Sequence, residues 1–273
     1  MKQQQTSWFI PVLTVVAVAL SIVAAFFGSG ALGGTPITEA AGGWLTADST
    51  PVAPAGPAFS IWSVIYAGLI GYALWQLLPA ARASERQRRL RPWAILSAVL
   101  NAAWIWLVQL GVLVLTVVVI LALLAVLIRI LVIMTAERPA GWAETVLTDG
   151  TFGLYLGWVC VATAANIAAW LASLGLAGIA GWQVLGCAVV LVAAAIAVAT
   201  AVWTRGRIAP ALATTWGLAW VAVGRLDGGL ISPLVAWCAA LASVAVIAVA
   251  VIVRLRAGVM DGGNRPVPAR DTR

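Results

Sequence analysis

Long, continuous apolar runs separated by short polar stretches dominate the chain, with little alternation or one-sided helical patterning. About 20 residues of helix cross a hydrocarbon layer about 30 Å thick. Runs near that length fall at 8–28, 58–79, 92–110, 113–136, 150–173, 181–203, 209–226 and 232–253. Each must be helical, because backbone N–H and C=O groups in lipid have no water to bond. The stretch from Arg91 to Ala136 is too long for one crossing, and Gly111 supplies a turn between two. The run that ends at Arg225 is short and the weakest of the set. The predicted fold is all-α, a polytopic transmembrane bundle of about eight spans.

Composition supports this picture. Hydrophobic residues make up 63% of the chain and charged residues 9%, with a mean hydropathy of +1.04. A water-soluble domain of this length could not cover its surface with so few charges. The first run follows Lys2, yet its apolar core is longer than that of a signal peptide, so it reads as a retained helix.

Positive charge then sets orientation. Arg82, Arg86, Arg88, Arg89 and Arg91 read as a loop after the second span. With eight spans, Lys2, Arg138, Arg205, Arg207 and the tail from Arg254 fall on that same side, and Arg225 alone falls opposite. Both termini are expected to be cytoplasmic, in a multi-pass protein of the cytoplasmic membrane. Trp8, Trp93, Trp142, Trp182 and Trp203 sit near predicted helix ends, where an indole straddles the interface. Arg129 can snorkel from the fourth span. Residues 1–175 read as a five-helix membrane domain, 176–256 as a three-helix extension and 257–273 as a disordered tail.

The net charge of +7 would raise the question of nucleic acid, but the basic residues sit between apolar runs and read as orientation signals. Nucleic acid is therefore not an expected partner; the lipid bilayer is. Cys160, Cys187 and Cys238 lie in apolar runs without CxxC spacing and read as inert buried thiols. The chain has no histidine, which removes the usual general base, the commonest zinc ligand and the usual axial haem ligand. No metal site and no catalytic set are expected, and no cofactor is required.

Three spans depart from the Val/Leu/Ala background. The second carries Phe59, Trp62 and Tyr66 at i, i+3 and i+7, along one helical stripe. The third carries Asn101 and Trp104, and the fifth carries Trp158, Ala162, Asn166 and Trp170 in steps of four. An amide in hydrocarbon needs a partner, so both asparagines should face the bundle. Spacing alone leaves two readings open: interhelical glue, or a ligand pocket with apolar walls and few polar groups. At 1.5 Å of rise per residue, Trp62, Trp104 and Asn166 fall within roughly 10 Å of the outer boundary and Asn101 and Ala162 at about 15 Å. The first loop, with Gly42-Gly43-Trp44 and Pro51, Pro54 and Pro57, would lie over that zone as a lid or a plain connector.

At these residues the chain resembles the TspO/translocator family, the tryptophan-rich sensory or peripheral benzodiazepine receptor proteins. YLGWVCVATAANIAAW, from Tyr155 to Trp170, resembles that family's final-helix pattern of Tyr-Leu-x-Trp followed by Ala-Thr-x-x-Asn. FSIWSVIY at 59–66 and NAAW at 101–104 resemble its second-helix and third-helix elements. The resemblance covers about residues 8–173 and implies a five-helix bundle that binds porphyrins, sterols and synthetic aromatics from the loop side. Carried over by motif, Trp62 and Trp158 would wall the pocket, Asn101 would supply a polar contact, Trp104 would line its side and Ala162 would set its width. The stretch from Ile167 to Ala180 has neither the tyrosine nor the basic residue of the animal sterol-recognition segment, so sterol binding by that route is not expected. The last three spans exceed the short family pattern.

The function this implies is a non-enzymatic binder, in a sensing or transport role, for a hydrophobic small molecule of tetrapyrrole type. Porphyrin or haem would be held by stacking on indoles rather than by an axial imidazole. Light-dependent tetrapyrrole degradation is the alternative the resemblance also offers, and a purely structural bundle is the other. Ion-coupled transport is disfavoured, since carboxylates are missing near the midplane of every span. A homodimer is compatible with this reading.

Overall fold

The computed structural model describes residues 8–30, 35–37, 39–176 and 179–263. Eight long helices account for most of them: α1 (Phe9–Gly28), α2 (Ile61–Trp75), α3 (Glu85–Gln109), α4 (Leu113–Ala136), α5 (Thr151–Leu171), α6 (Trp182–Trp203), α7 (Ile208–Leu226) and α8 (Pro233–Gly263). There is no strand among the described residues. Seven of these helices, extended in places by adjoining turns, are long and apolar enough to cross a membrane. The exception is α7, whose Thr214, Thr215 and Arg225 lower its hydropathy. It nevertheless runs the length of the bundle, because the residues flanking it touch opposite ends. Arg207, just before α7, donates to Asp149 (2.6 Å), close to the start of α5. Arg225, at the far end of α7, donates to backbone carbonyls of the first loop. The weakest apolar run is thus a full-length inner helix.

The basic stretch expected as a loop is largely helical. Ser84 caps α3, its hydroxyl accepting from the Gln87 N–H at 3.3 Å, with Glu85 in the first turn. Arg, Gln and Leu propagate a helix well once it is capped, and Pro92 lies inside α3 rather than at its start. Two of these arginines are buried. Arg86 bridges Glu144 (3.0 Å) and Asp149 (2.5 Å) and donates to the Met134 carbonyl. Arg91 donates to Gln76, which donates to Gln87, which in turn donates to Glu144 at 2.6 Å. Arg86, Arg91 and Arg207 therefore hold helices together and are not free orientation charges. The carboxylates lie on a single turn (Trp142–Glu144) and a π-helical segment (Thr145–Gly150) leading into α5, a widened geometry that often marks special sites.

Gly111 makes the expected turn, at φ 73°, between α3 and α4. At the other end of the chain α8 continues to Gly263, past the boundary placed at 257, and residues 264–273 lie outside the described residues. The cysteines are free and half-buried rather than fully buried. Trp8, Trp142 and Trp203 are exposed, as interfacial indoles are. Arg129 lies over the Trp93 ring at 5.9 Å.

Two apolar clusters fill the bundle. One joins residues of α1–α5 with Ala213 of α7, and the other joins α6, α7 and α8 with Val52 of the first loop. They share α7, which lies against α5 on a face of small residues. A Cβ on Gly153 would come within 2.7 Å of the Ala209 Cβ, and one on Gly157 would overlap the Pro210 carbonyl. Small residues of this kind let two helix backbones approach closely where lipid gives no hydrophobic drive to associate.

Candidate functional site

The aromatic residues of α2 and α5 meet edge to face. Phe59, in the 3-10 turn before α2, lies 5.6 Å from Trp158 at an interplanar angle of 79°. Trp62 stacks on Tyr66 at 5.1 Å and presents an edge-on contact to Tyr155 at 5.7 Å and to Trp158 at 6.5 Å. These are the spacings and angles that aromatic quadrupoles favour. Trp158 is 1% exposed, and its indole N–H has no hydrogen-bond partner. Such an orphan donor is uncommon in a folded interior.

The amides are spoken for. Asn101 donates to the Tyr66 hydroxyl at 3.3 Å. Asn166 accepts from the Trp104 indole at 3.0 Å and donates to the Thr116 hydroxyl at 3.0 Å, tying α3, α4 and α5 together. At Asn166 the interhelical-glue reading describes what the amide does.

A cavity of about 40 Å³ lies against this cluster, lined by Phe59, Trp104, Trp158, Ala162 and Asn166 together with Ala165 and Ala169. Trp62, Tyr66 and Asn101 do not line it: Trp62 meets Trp158, Tyr66 stacks on Trp62 and Asn101 bonds Tyr66. Its roof is the first loop, through Ile37, Trp44, Leu45, Ser49, Ala53 and Pro54. Trp44 and Pro54 stood out in the sequence as lid features. Ile37, Leu45, Ser49 and Ala53 carry no pattern that would have singled them out. The free space is close to the share of a single water molecule and far below the 300–1,000 Å³ of sites for larger ligands. A flat ligand enters only if part of the roof moves.

Residues 47–58 of that roof are held by the last three helices. The Arg225 guanidinium, wholly buried, donates to the carbonyls of Thr50 (2.9 Å) and Ala47. The Trp216 indole donates to the Ala58 carbonyl at 2.9 Å, and the Ala55 N–H donates to the Trp220 carbonyl at 3.1 Å. Asp48 accepts from the Gly229 N–H at 2.8 Å. Gly186 of α6 leaves room for Pro51, whose Cβ a methyl group there would meet at 2.8 Å. Trp216 and Trp220, edge-on at 5.6 Å, grip the loop instead of lining the cavity. Trp237 is exposed and takes no part.

Helices of membrane length and a loop-capped aromatic cavity define an integral, multi-pass α-helical membrane protein. The chain matches the TSPO-like protein family over residues 10–253 and belongs to it. That match runs well beyond 173, the limit set by the motifs of the first five spans, and includes α6, α7 and most of α8. No curated protein and no solved structure matches the chain.

Proposed function

We propose that the chain binds a flat, hydrophobic tetrapyrrole such as a porphyrin in the cavity beside Trp158, as a sensor or carrier and without a required cofactor. The observation that carries this reading is the Trp158 indole. Its ring lines an apolar cavity and stands edge-on to Phe59 and Trp62, and its buried N–H has no partner. A ligand offering an aromatic face and an acceptor atom would satisfy both features. Without histidine, haem would bind through its ring and propionates. Exposed Arg88, Arg89, Arg205, Arg254 and Arg256 at the end away from the cavity support an orientation with both termini in the cytoplasm and the cavity toward the outer face.

The test is a titration of the detergent-purified protein with protoporphyrin, followed by tryptophan quenching. Saturable binding that is lost in Trp158→Ala, with the helical spectrum kept, is the expected result. Wild-type quenching in that variant refutes the site. Repeating the titration in light and in darkness separates a binder from a photochemical degrader, which would yield covalent tetrapyrrole products only when illuminated.

A further inference from the structure

Between Leu113 and Ala136, the whole length of α4, Arg129 is the only charged residue. It is exposed and follows Ile128, itself 47% exposed, so it lies on the lipid-facing side of the helix. Seven residues separate it from Ala136, which puts its Cα about 10 Å inside the end of the span. Ionisable side chains in a span are rare and usually turn toward the bundle or pair with another group. Among the described residues Arg129 bonds no carboxylate and no carbonyl. Its partner is the Trp93 ring, 5.9 Å from the centroid, near the limit of a cation–π contact.

This guanidinium lines a groove of about 400 Å³ between α3 and α4, at the end of the bundle away from the cavity. Arg129, Val132, Ile133 and Ala136, at i, i+3, i+4 and i+7, form one wall along a single stripe of α4. Arg89 and Trp93, at i and i+4 on α3, form the other, and Glu137 closes the shallow end. Of the three charged residues, Arg89 and Glu137 satisfy one another at 3.0 Å, and Arg89 also bonds Glu85 at 3.2 Å. The charge left over is that of Arg129. The groove is therefore aliphatic along its length, aromatic on one side, and cationic at its deep end.

We propose that the groove holds the headgroup phosphate of an anionic phospholipid, with Arg129 as its counter-charge. Arg129 extends toward the interface, where its planar fork meets two phosphate oxygens. Trp93 and Val132 flank the glycerol backbone, and the acyl chains continue along the lipid-facing side of α4 past Ile128 and Ala125, both exposed. Basic pockets between spans are the recurring form of such sites. A phosphate arriving from water has little to gain from aliphatic walls, whereas a lipid reaches the groove from the side with its chains already in place. A zwitterionic headgroup brings its own cation to compete for the phosphate, so a headgroup with net negative charge is favoured. The site stands whatever the cavity beneath the first loop binds.

Native mass spectrometry of the full chain tests the assignment, with phosphatidylglycerol and phosphatidylcholine of equal acyl length titrated into the detergent-purified protein. Wild type should retain one phosphatidylglycerol about five- to tenfold more tightly than phosphatidylcholine, and Arg129→Gln should remove that preference. Ala136→Glu, at an exposed position on the same stripe, supplies the carboxylate that the groove lacks and should have the same effect. Arg256→Glu, exposed on α8 and outside the groove, should bind lipid like wild type. Both groove positions are exposed, so neither variant disturbs the core. Equal retention of the two lipids by wild type would overturn the site, as would unchanged retention in Arg129→Gln. An equal loss in Arg256→Glu would reduce the effect to general surface charge. Competition by glycerol phosphate at lipid-like concentrations would mark a free-anion site and overturn the lipid.

Discussion

Adding one methyl group at Gly157 tests whether α7 is an integral part of the cavity's frame. The new carbon would overlap the Pro210 carbonyl oxygen and sit 2.9 Å from the Ala213 Cβ. Carbon atoms prefer 3.5–4.0 Å, so α7 must retreat from α5 by roughly 1 Å. The backbone carbonyl cannot rotate aside as a side chain could. Overpacking of this kind costs about 1–3 kcal/mol, offset by up to about 1 kcal/mol from the better helix propensity of alanine, and leaves a net loss near 1–2 kcal/mol. The Thr214 hydroxyl, which donates to the Gly157 carbonyl at 3.3 Å, would be drawn off with the helix. Because α7 also carries Trp216, Trp220 and Arg225, its retreat would loosen the grip on residues 47–58, so bound porphyrin should dissociate faster. Equilibrium unfolding in mixed micelles measures the first effect and stopped-flow release the second. Gly150→Ala is the control, since its nearest neighbour would be the Thr145 carbonyl at an ordinary 3.6 Å. Wild-type stability and release in Gly157→Ala would refute the close α5–α7 contact and the role given to it.

Three further outcomes are expected. Ala162→Phe should fill the 40 Å³ space and abolish porphyrin quenching without changing the helical spectrum; retained binding would place the ligand elsewhere. Asp149→Asn removes an acceptor shared by Arg86 and Arg207 and should cost about 3 kcal/mol in micelle unfolding, because breaking a buried pair strands its partner charge. Arg225→Gln loses part of the fork that reaches two loop carbonyls. It should expose the loop around Thr50 to limited proteolysis, and Arg225→Lys should not restore protection, since one ammonium cannot reproduce the planar fork. Equal digestion of wild type and Arg225→Gln would remove Arg225 from the roof's support.

What the sequence made legible follows from how local each signal is. Helix number and approximate bounds could be read because an apolar run of span length has few other ways to satisfy its backbone in lipid. Spacing was less decisive for the cavity: it put Phe59, Trp62 and Tyr66 on one stripe, yet of these only Phe59 lines the space, beside Trp104, Trp158, Ala162 and Asn166 from other helices. The basic stretch before Pro92 was harder. Five arginines in ten residues look the same whether exposed in a loop or threaded into a buried network, and only the partners, Glu144 and Asp149 more than 50 residues away, decide between them.

The three-helix extension shows the same limit most sharply. Nothing near Arg225 in the chain hints at its partners, because Ala47 and Thr50 offer only backbone carbonyls and lie more than 170 residues earlier. Carbonyls are present at every residue and leave no mark in a sequence. A lone arginine at the end of a weak apolar run therefore reads as an orientation charge, although a wholly buried guanidinium with two fixed acceptors is a structural clamp. The same reasoning separates the two asparagines from Trp158. An amide in lipid must be paired, and Asn166 is paired twice. Being satisfied, it has little left to offer a ligand, whereas the unpaired Trp158 indole has a donor still to give. On the proposed binding reading, recognition in this cavity falls to the aromatic residue rather than to the amides, and a Trp158→Phe variant, which keeps a ring and loses that donor, should bind porphyrin about five- to tenfold more weakly. Unchanged affinity would return the polar role to the asparagines.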